Sequence, residues 1–205
     1  LVSDWSSDVC SSDLPDRTRV YSPAGLQPGK IYEVIYTAQD PVVVGLGPAA
    51  IRDFISYLKY AGPAASINVL GDQRRFLKRA IAVGTSQSGR FLRTFLYDGF
   101  NADENGKIVF DGVWAHVAGA GRGSFNFRFA QPSRDGHPHL NCLYPSDIFP
   151  FSDLSQSDAT AGSSGLLDKA IAAKVEPKIF YTNGSYEYWG RVASQIGRAS
   201  CRERV

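Results

Sequence analysis

The apolar positions of this 205-residue chain fall into short runs that alternate with helical stripes. Residues 31–38 are β-branched and aromatic, which predicts a strand ended by Asp40-Pro41. Residues 42–47 fit a short strand or an extended loop equally well. From Pro48, a residue suited to a first helical turn, Ile51, Phe54, Ile55 and Leu58 recur at helical spacing. Arg52, Asp53 and Lys59 lie off that stripe, and Gly62-Pro63 stops it. Residues 74–78 form a polar, helical lead-in. The apolar run 80–83 reads as a buried strand. Small residues follow, and then an amphipathic helix through Phe91, Leu92, Phe95 and Leu96 ends near Asp98-Gly99. Residues 101–106 read as a solvated turn, 108–117 as a strand, 166–175 as a short helix and 178–183 as a strand. Residues 184–189 are the loop at the C-terminal end of that last strand. Residues 130–165 carry Pro132, Pro138, Pro145 and Pro150 and are too long for an ordinary connection, so they predict an irregular insertion acting as a lid or binding loop. This order suits an α/β fold, a mostly parallel sheet with right-handed crossovers and flanking helices. Ligands of such sheets bind beyond the C-terminal ends of the strands.

Ser86 stands where the strand at 80–83 turns into the following helix. A serine at such a corner is held above the sheet with its hydroxyl exposed, a nucleophile elbow. The neighbours two before and two after must be small, because strand and helix nearly touch. Gly84 and Ser88 fill those places, and a glycine comes one later, at Gly89. The helix start directs N–H groups and the positive dipole end at the site, and the Gln87 N–H becomes an oxyanion donor. The competing reading is a Gly/Ser-rich turn with no chemistry. Ser88 is the rival nucleophile, but Arg90 would then occupy a position that needs a small residue.

Composition changes the picture at the ends. Residues 3–14 and 195–205 resemble translated sequencing adapters, which divides the chain into 1–14, a domain at 15–194 with its insertion at 130–165, and 195–205. Cys10 and Cys201 fall in the end segments, so Cys142 alone remains and no disulfide framework is implied. A leader would have been lost with the native N-terminus, which leaves localisation open, secreted and periplasmic included. The whole chain carries 22 Lys+Arg against 20 Asp+Glu, and 19 against 16 without the end segments. That near-neutral balance gives no nucleic-acid footprint. No apolar run reaches the roughly 18 residues a membrane span needs. The 43% hydrophobic content is that of a globular domain. The carboxylates of 101–106 lack calcium-loop spacing. Gly119–Gly123 lacks the following helix of a dinucleotide site. No cofactor or metal is expected, and oligomeric state is not legible.

A serine nucleophile needs a base, and the base needs an orienting acid. Glu187 stands just past a predicted strand and is the candidate acid, with a solvent-exposed loop carboxylate as the plain alternative. Asp147 and Asp153, in the insertion, are its competitors. His116 reads as a core or strand-end histidine, and His137 and His139 as surface or pocket-lining. Taken together, residues 84–93, Phe110-Asp111-Gly112, residues 118–124, residues 128–132 and Tyr186-Glu187-Tyr188-Trp189 resemble a bacterial family of poorly characterised α/β-hydrolase domain proteins. The resemblance covers most of residues 15–194. It implies the α/β-hydrolase fold, truncated here at both ends, with Ser86 as nucleophile, Glu187 as acid and a histidine supplied downstream. The expected reaction is acyl transfer from a small ester-like substrate to water. Arg122, Ser124, Tyr186 and Trp189 are pocket candidates, with Phe125 and Phe127 beside them, although a structural ion pair is the commoner role for an arginine such as Arg122. The rival expectations are a non-catalytic binding domain on the same fold and a fragment inactive on its own.

Overall fold

A computed structural model of the chain describes residues 25, 27–29, 45–61, 70–71, 77–123 and 148–196. The chain divides into two units, Leu1–Val42 and Val43–Val205. In the first unit the described residues form a turn with Gly25 and Gly29 at positive φ. The strand expected at 31–38 and the segments at 1–14 and 197–205 lie outside the described residues. Everything below concerns the second unit.

Its centre is a parallel sheet in the order β1-β2-β5, formed by β1 (Ile81–Thr85), β2 (Gly112–His116) and β5 (Lys178–Thr182). Thr85, His116 and Thr182 share the last register row, so the three strands end level. Helix α1 (Gly47–Tyr60), with Pro48 in its first turn, precedes β1, and α2 (Gln87–Asp98) connects β1 to β2. The five-residue α3 (Asp168–Ala172) leads towards β5, and α4 (Ser185–Gly190) follows it. Two short strands, β3 (Gln156–Asp158) and β4 (Gly162–Ser164), pair antiparallel inside the expected insertion, which is therefore not wholly irregular.

The core lies on one face of the sheet. Ala82 and Val113 point into it and meet Leu92, Phe95 and Leu96 of α2, with Val109, Phe110, Leu166 and Leu167 closing the cluster. Phe95 is its hub, with ring centroids 5.6 Å from both Phe100 and Phe110. Burying each such side chain contributes about 1.5–3 kcal/mol. On the other face Val83, Trp114 and Phe180 form one register row and stay 62%, 42% and 72% exposed. The run at 80–83 is thus a strand with one buried face, not a wholly buried one. Apolar content alone does not separate the two cases, because the exposed face carries Ile81 and Val83 while the buried one carries Ala82.

Helix α1 corrects a second expectation. Ile51 and Phe54 of its apolar stripe are exposed, and only Ile55 reaches the core cluster. Polar side chains hold the helix instead. Lys59 Nζ donates to the carbonyls of Ile108 (2.9 Å) and Val109 (3.0 Å) and to Asp111 Oδ2 (2.7 Å). Tyr60 donates to Ile108, and Ser56 to Asp103. The turn at 101–106 is accordingly not just solvated. Asn101 is fully buried and bonds Phe110 N, Phe110 O and Val175 O, and the buried Asp103 carboxylate accepts from the N–H groups of Asn105 and Lys107. Regular strand begins at Gly112 rather than 108, since Ile108 is engaged in a bridge with Ala102. Residues 77 and 78 are not helical, and the rest of the expected lead-in falls outside the described residues.

Candidate active site

Ser86 is the single residue between β1 and α2. Its backbone is at φ 56°, ψ −116°, a conformation that costs a non-glycine residue about 1–3 kcal/mol. Two hydrogen bonds hold it there. Ser86 N donates to His116 O at 2.8 Å, and Ser86 O accepts from Arg90 N at 3.1 Å. The small neighbours are needed, Gly84 where the spacing suggested and the second one residue later. A Cβ on Gly84 would lie 2.6 Å from the Ser88 carbonyl carbon and oxygen, and one on Gly89 would lie 2.8 Å from Ala118 Cβ. Gly89 is buried, whereas Ser88 is exposed. The second tight position is therefore Gly89, because it faces the turn after β2 while Ser88 points to solvent. Gln87 is the first residue of α2, where backbone N–H groups have no intrahelical acceptor.

The level strand ends put the residues after β1, β2 and β5 on one rim. Val117 N donates to Thr182 O at 2.6 Å, and Gly119 N to Asn183 Oδ1 at 3.1 Å. Glu187 follows at the same rim, but in a helix, not a loop. It is the third residue of α4, and its Oε2 accepts from Gly184 N at 2.9 Å, so the carboxylate caps its own helix. Strands 4.7–4.9 Å apart put the ends of β1 and β5 about 10 Å from each other, with the end of β2 between them.

A family model described as an alpha/beta hydrolase domain matches residues 16–196. The chain belongs to the alpha/beta-hydrolase domain family. No curated protein and no solved structure matched it.

In this hydrolase domain the remaining candidates separate clearly. Arg122 is engaged within the fold. It is buried, lies 3.5 Å over the Tyr97 ring and donates to Phe149 O at 2.6 Å. Burial also pulls its pKa below the usual arginine value. Among the described residues its contacts are a cation–π stack and a carbonyl, and the Asp98 carboxylate acts on it electrostatically. Tyr186 and Trp189 are exposed on α4, and Tyr188 packs edge-on against Trp189 at 4.8 Å. His116 is a strand-end histidine, as read, with Nδ1 2.8 Å from Thr182 Oγ1, an oxygen that also accepts from Trp114 Nε1. Ser124, Phe125, Phe127, His137, His139 and Asp147 lie outside the described residues. Asp153 is not an open acid. It is buried, accepts from Tyr181 at 2.6 Å and sits 3.6 Å from Arg93, and burial raises its pKa against the pull of that guanidinium.

Arg93 went unnoticed in the sequence, although Gly89, Arg93 and Leu96 lie on one helical face. It is fully buried in α2. Nε donates to Ala120 O and Nη2 to Phe151 O, each at 3.0 Å, and the guanidinium lies 5.0 Å from the Tyr181 ring centroid. Burial drives the Tyr181 hydroxyl well above its ordinary pKa, so it remains a donor to Asp153. Ala120 also belongs to a small apolar cluster with Ala193 and Ile196, the latter inside the segment that the sequence likens to an adapter.

Among the described residues no group of three or more His, Cys, Asp or Glu is placed to hold a metal, and no helix is long and apolar enough to cross a membrane. A cavity of about 300 Å³ between α1 and the 103–107 turn is lined by Asp53, Ser56, Tyr60, Asp103 and Glu104 among others. It opens at the N-terminal edge of β2, away from Ser86.

Proposed function

We propose that this domain is a serine hydrolase that transfers an acyl group from a small ester-like substrate to water. The observation that carries the reading is Ser86 at positive φ, exposed at the C-terminal end of a parallel strand and immediately ahead of α2. Its Oγ attacks the acyl carbon and gives its proton to a histidine. The oxyanion that forms accepts from Gln87 N–H, a kind of contact worth about 2.7–4 kcal/mol in the transition state. The leaving alcohol takes the proton from the histidine, and water then releases the acyl group by the same route. Glu187 orients the imidazole. The histidine comes from downstream, as the chain order of the family implies. Tyr186 and Trp189 flank the acyl or alcohol side. The domain architecture proposed with this reading is a hydrolase domain at 15–194 between two adapter-like ends.

A non-catalytic binding domain is the second reading. It is favoured by one observation: among the described residues His116 is the single histidine, and it is engaged with Thr182. A fluorophosphonate that labels activated serines separates the two. In protein made from the uninterrupted reading frame, labelling at Ser86 by mass spectrometry, lost in Ser86→Ala, supports hydrolysis. Folded protein that stays unlabelled supports the binder. For residues 1–205 alone, negligible turnover of an aryl ester is expected, and brisk hydrolysis would contradict the assignment of the base to a downstream segment.

A further inference from the structure

We infer that Arg93 is a positioning residue that sets the distance between the nucleophile and the acid, acting through the backbone of Ala120. This rests on the reading of Ser86 and Glu187 given above.

The connection is continuous. Arg93 lies on α2, the helix that begins next to Ser86. Its Nε donates to Ala120 O at 3.0 Å. Ala120 N donates in turn to Arg191 O at 2.9 Å, and Arg191 N donates to Glu187 O at 3.2 Å. Helix α4 is therefore hung from the turn after β2, and that turn is hung from α2. The same guanidinium holds Phe151 O with Nη2 and faces Asp153 with Nη1. Asp153 is bound by Tyr181, which lies on β5, the strand that leads into α4. The two routes from Arg93 to the acid thus run through the 117–123 turn and through β5.

Two features mark this as placement and not plain packing. A full charge is buried on the helix face it shares with Gly89 and Leu96, and breaking such a group's partnership is costly because a charge is left uncompensated. Gly119, next to Ala120, is at φ 71°, and a Cβ there would meet Arg191 O at 2.8 Å and Arg191 Cβ at 2.7 Å. The turn is thus pressed against the end of α4 with no slack, so a shift at Ala120 is passed on to the helix that carries Glu187. Misplacing a reacting group by about 1 Å can cost on the order of 100-fold in rate.

The test uses enzyme made from the uninterrupted reading frame, with Arg93→Lys and, as a variant that leaves the arginine in place, Gly119→Ala. An ammonium reaches Ala120 O or Phe151 O but not both, and the added methyl displaces the contact with Arg191. For each variant, phosphonate labelling gives the number of competent sites, and turnover of an aryl ester is expressed per labelled site. The inference expects kcat per labelled site to fall at least tenfold in both variants, with KM within about twofold. A role in stability alone lowers the number of labelled sites and leaves turnover per site unchanged, and that result overturns the inference while leaving Ser86 as nucleophile. If wild-type enzyme takes no label at Ser86, the reading of the site fails and the inference fails with it.

Discussion

Replacing Ser86 by glycine removes the hydroxyl and the strain of the corner together, and the two effects have opposite signs. The backbone at φ 56°, ψ −116° is the mirror image of an ordinary extended conformation near −56°, +116°. Glycine populates both about equally, whereas a side chain disfavours the first. Relief of the strain returns about 1–3 kcal/mol. The extra freedom of glycine in the unfolded chain takes back about 0.5–1 kcal/mol. The net gain reaches at most about 2.5 kcal/mol, which for a domain of this size raises the melting temperature by up to roughly 10 °C. Ser86→Ala is the control. It lacks the hydroxyl but keeps the Cβ and hence the strain, so its stability stays within about 0.5 kcal/mol of the parent. Urea unfolding followed by far-UV circular dichroism, at constant m-value, measures all three proteins. Both variants lose phosphonate labelling. A Ser86→Gly protein less stable than Ser86→Ala refutes the claim that the corner stores strain, and with it the main structural reason for singling out this serine.

Two further predictions concern what surrounds the corner. Gly89→Ala brings a methyl within 2.8 Å of Ala118 Cβ and 3.0 Å of Gly84 O. It destabilises by about 1–2 kcal/mol after the roughly 1 kcal/mol that alanine gains in a helix, whereas Ser88→Ala changes stability by less than about 0.5 kcal/mol. Equal urea midpoints for the two variants contradict the assignment of the tight position to Gly89. For Asp111, burial pushes the carboxyl pKa up, but the hydrogen bonds from Lys59 and Ala80 N outweigh it and hold the pKa below the usual value. Its contribution is therefore complete above the unfolded pKa of about 3.9 and is lost as pH falls through the folded pKa. Asp111→Asn should lower the urea midpoint by the same amount at pH 7 and pH 5.5, and the gap should narrow as pH falls below about 3.9. A gap that is unchanged at pH 3 contradicts the pairing.

The parts legible in the sequence are those fixed by local sterics. A strand that turns into a helix through one residue needs glycine on both sides of a close contact. Gly84, Ser86 and Gly89 record that requirement in six consecutive positions. The sheet strands were legible because β-branched and aromatic runs sit between turn residues. Helix α4 was not, since six residues give less than two turns of periodicity, and its aromatic content favours a strand or loop. The attachment of α1 was hidden because an apolar stripe says a face is suited to burial, not that a partner covers it. Long-range polar contacts are the least visible. Nothing near Asn101 announces that its amide reaches Val175, 74 residues away. Arg93 offered a faint signal, a charge on the face that Gly89 and Leu96 bury, which packing must compensate or reject.

The rim explains why the serine and the carboxylate belong to one argument. Each strand end is tied to the next: Ser86 N to His116 O, Val117 N to Thr182 O, and Ala120 N to Arg191 O at the end of α4. These backbone pairs and the order β1-β2-β5 bring the corner and α4 to within two strands of each other, and Arg93 fixes the last step of the path by holding Ala120 O. That spacing constrains the missing partner. A hydrogen bond reaches about 3 Å, and two strand spacings come to about 10 Å. An imidazole that serves both Ser86 and Glu187 must therefore stand over the end of β2, above residues 117–119, and Glu187 must turn its free Oε1 towards it while Oε2 stays on Gly184 N. On the reading proposed above, the turn held by Arg93 and Gly119 lies beneath that imidazole.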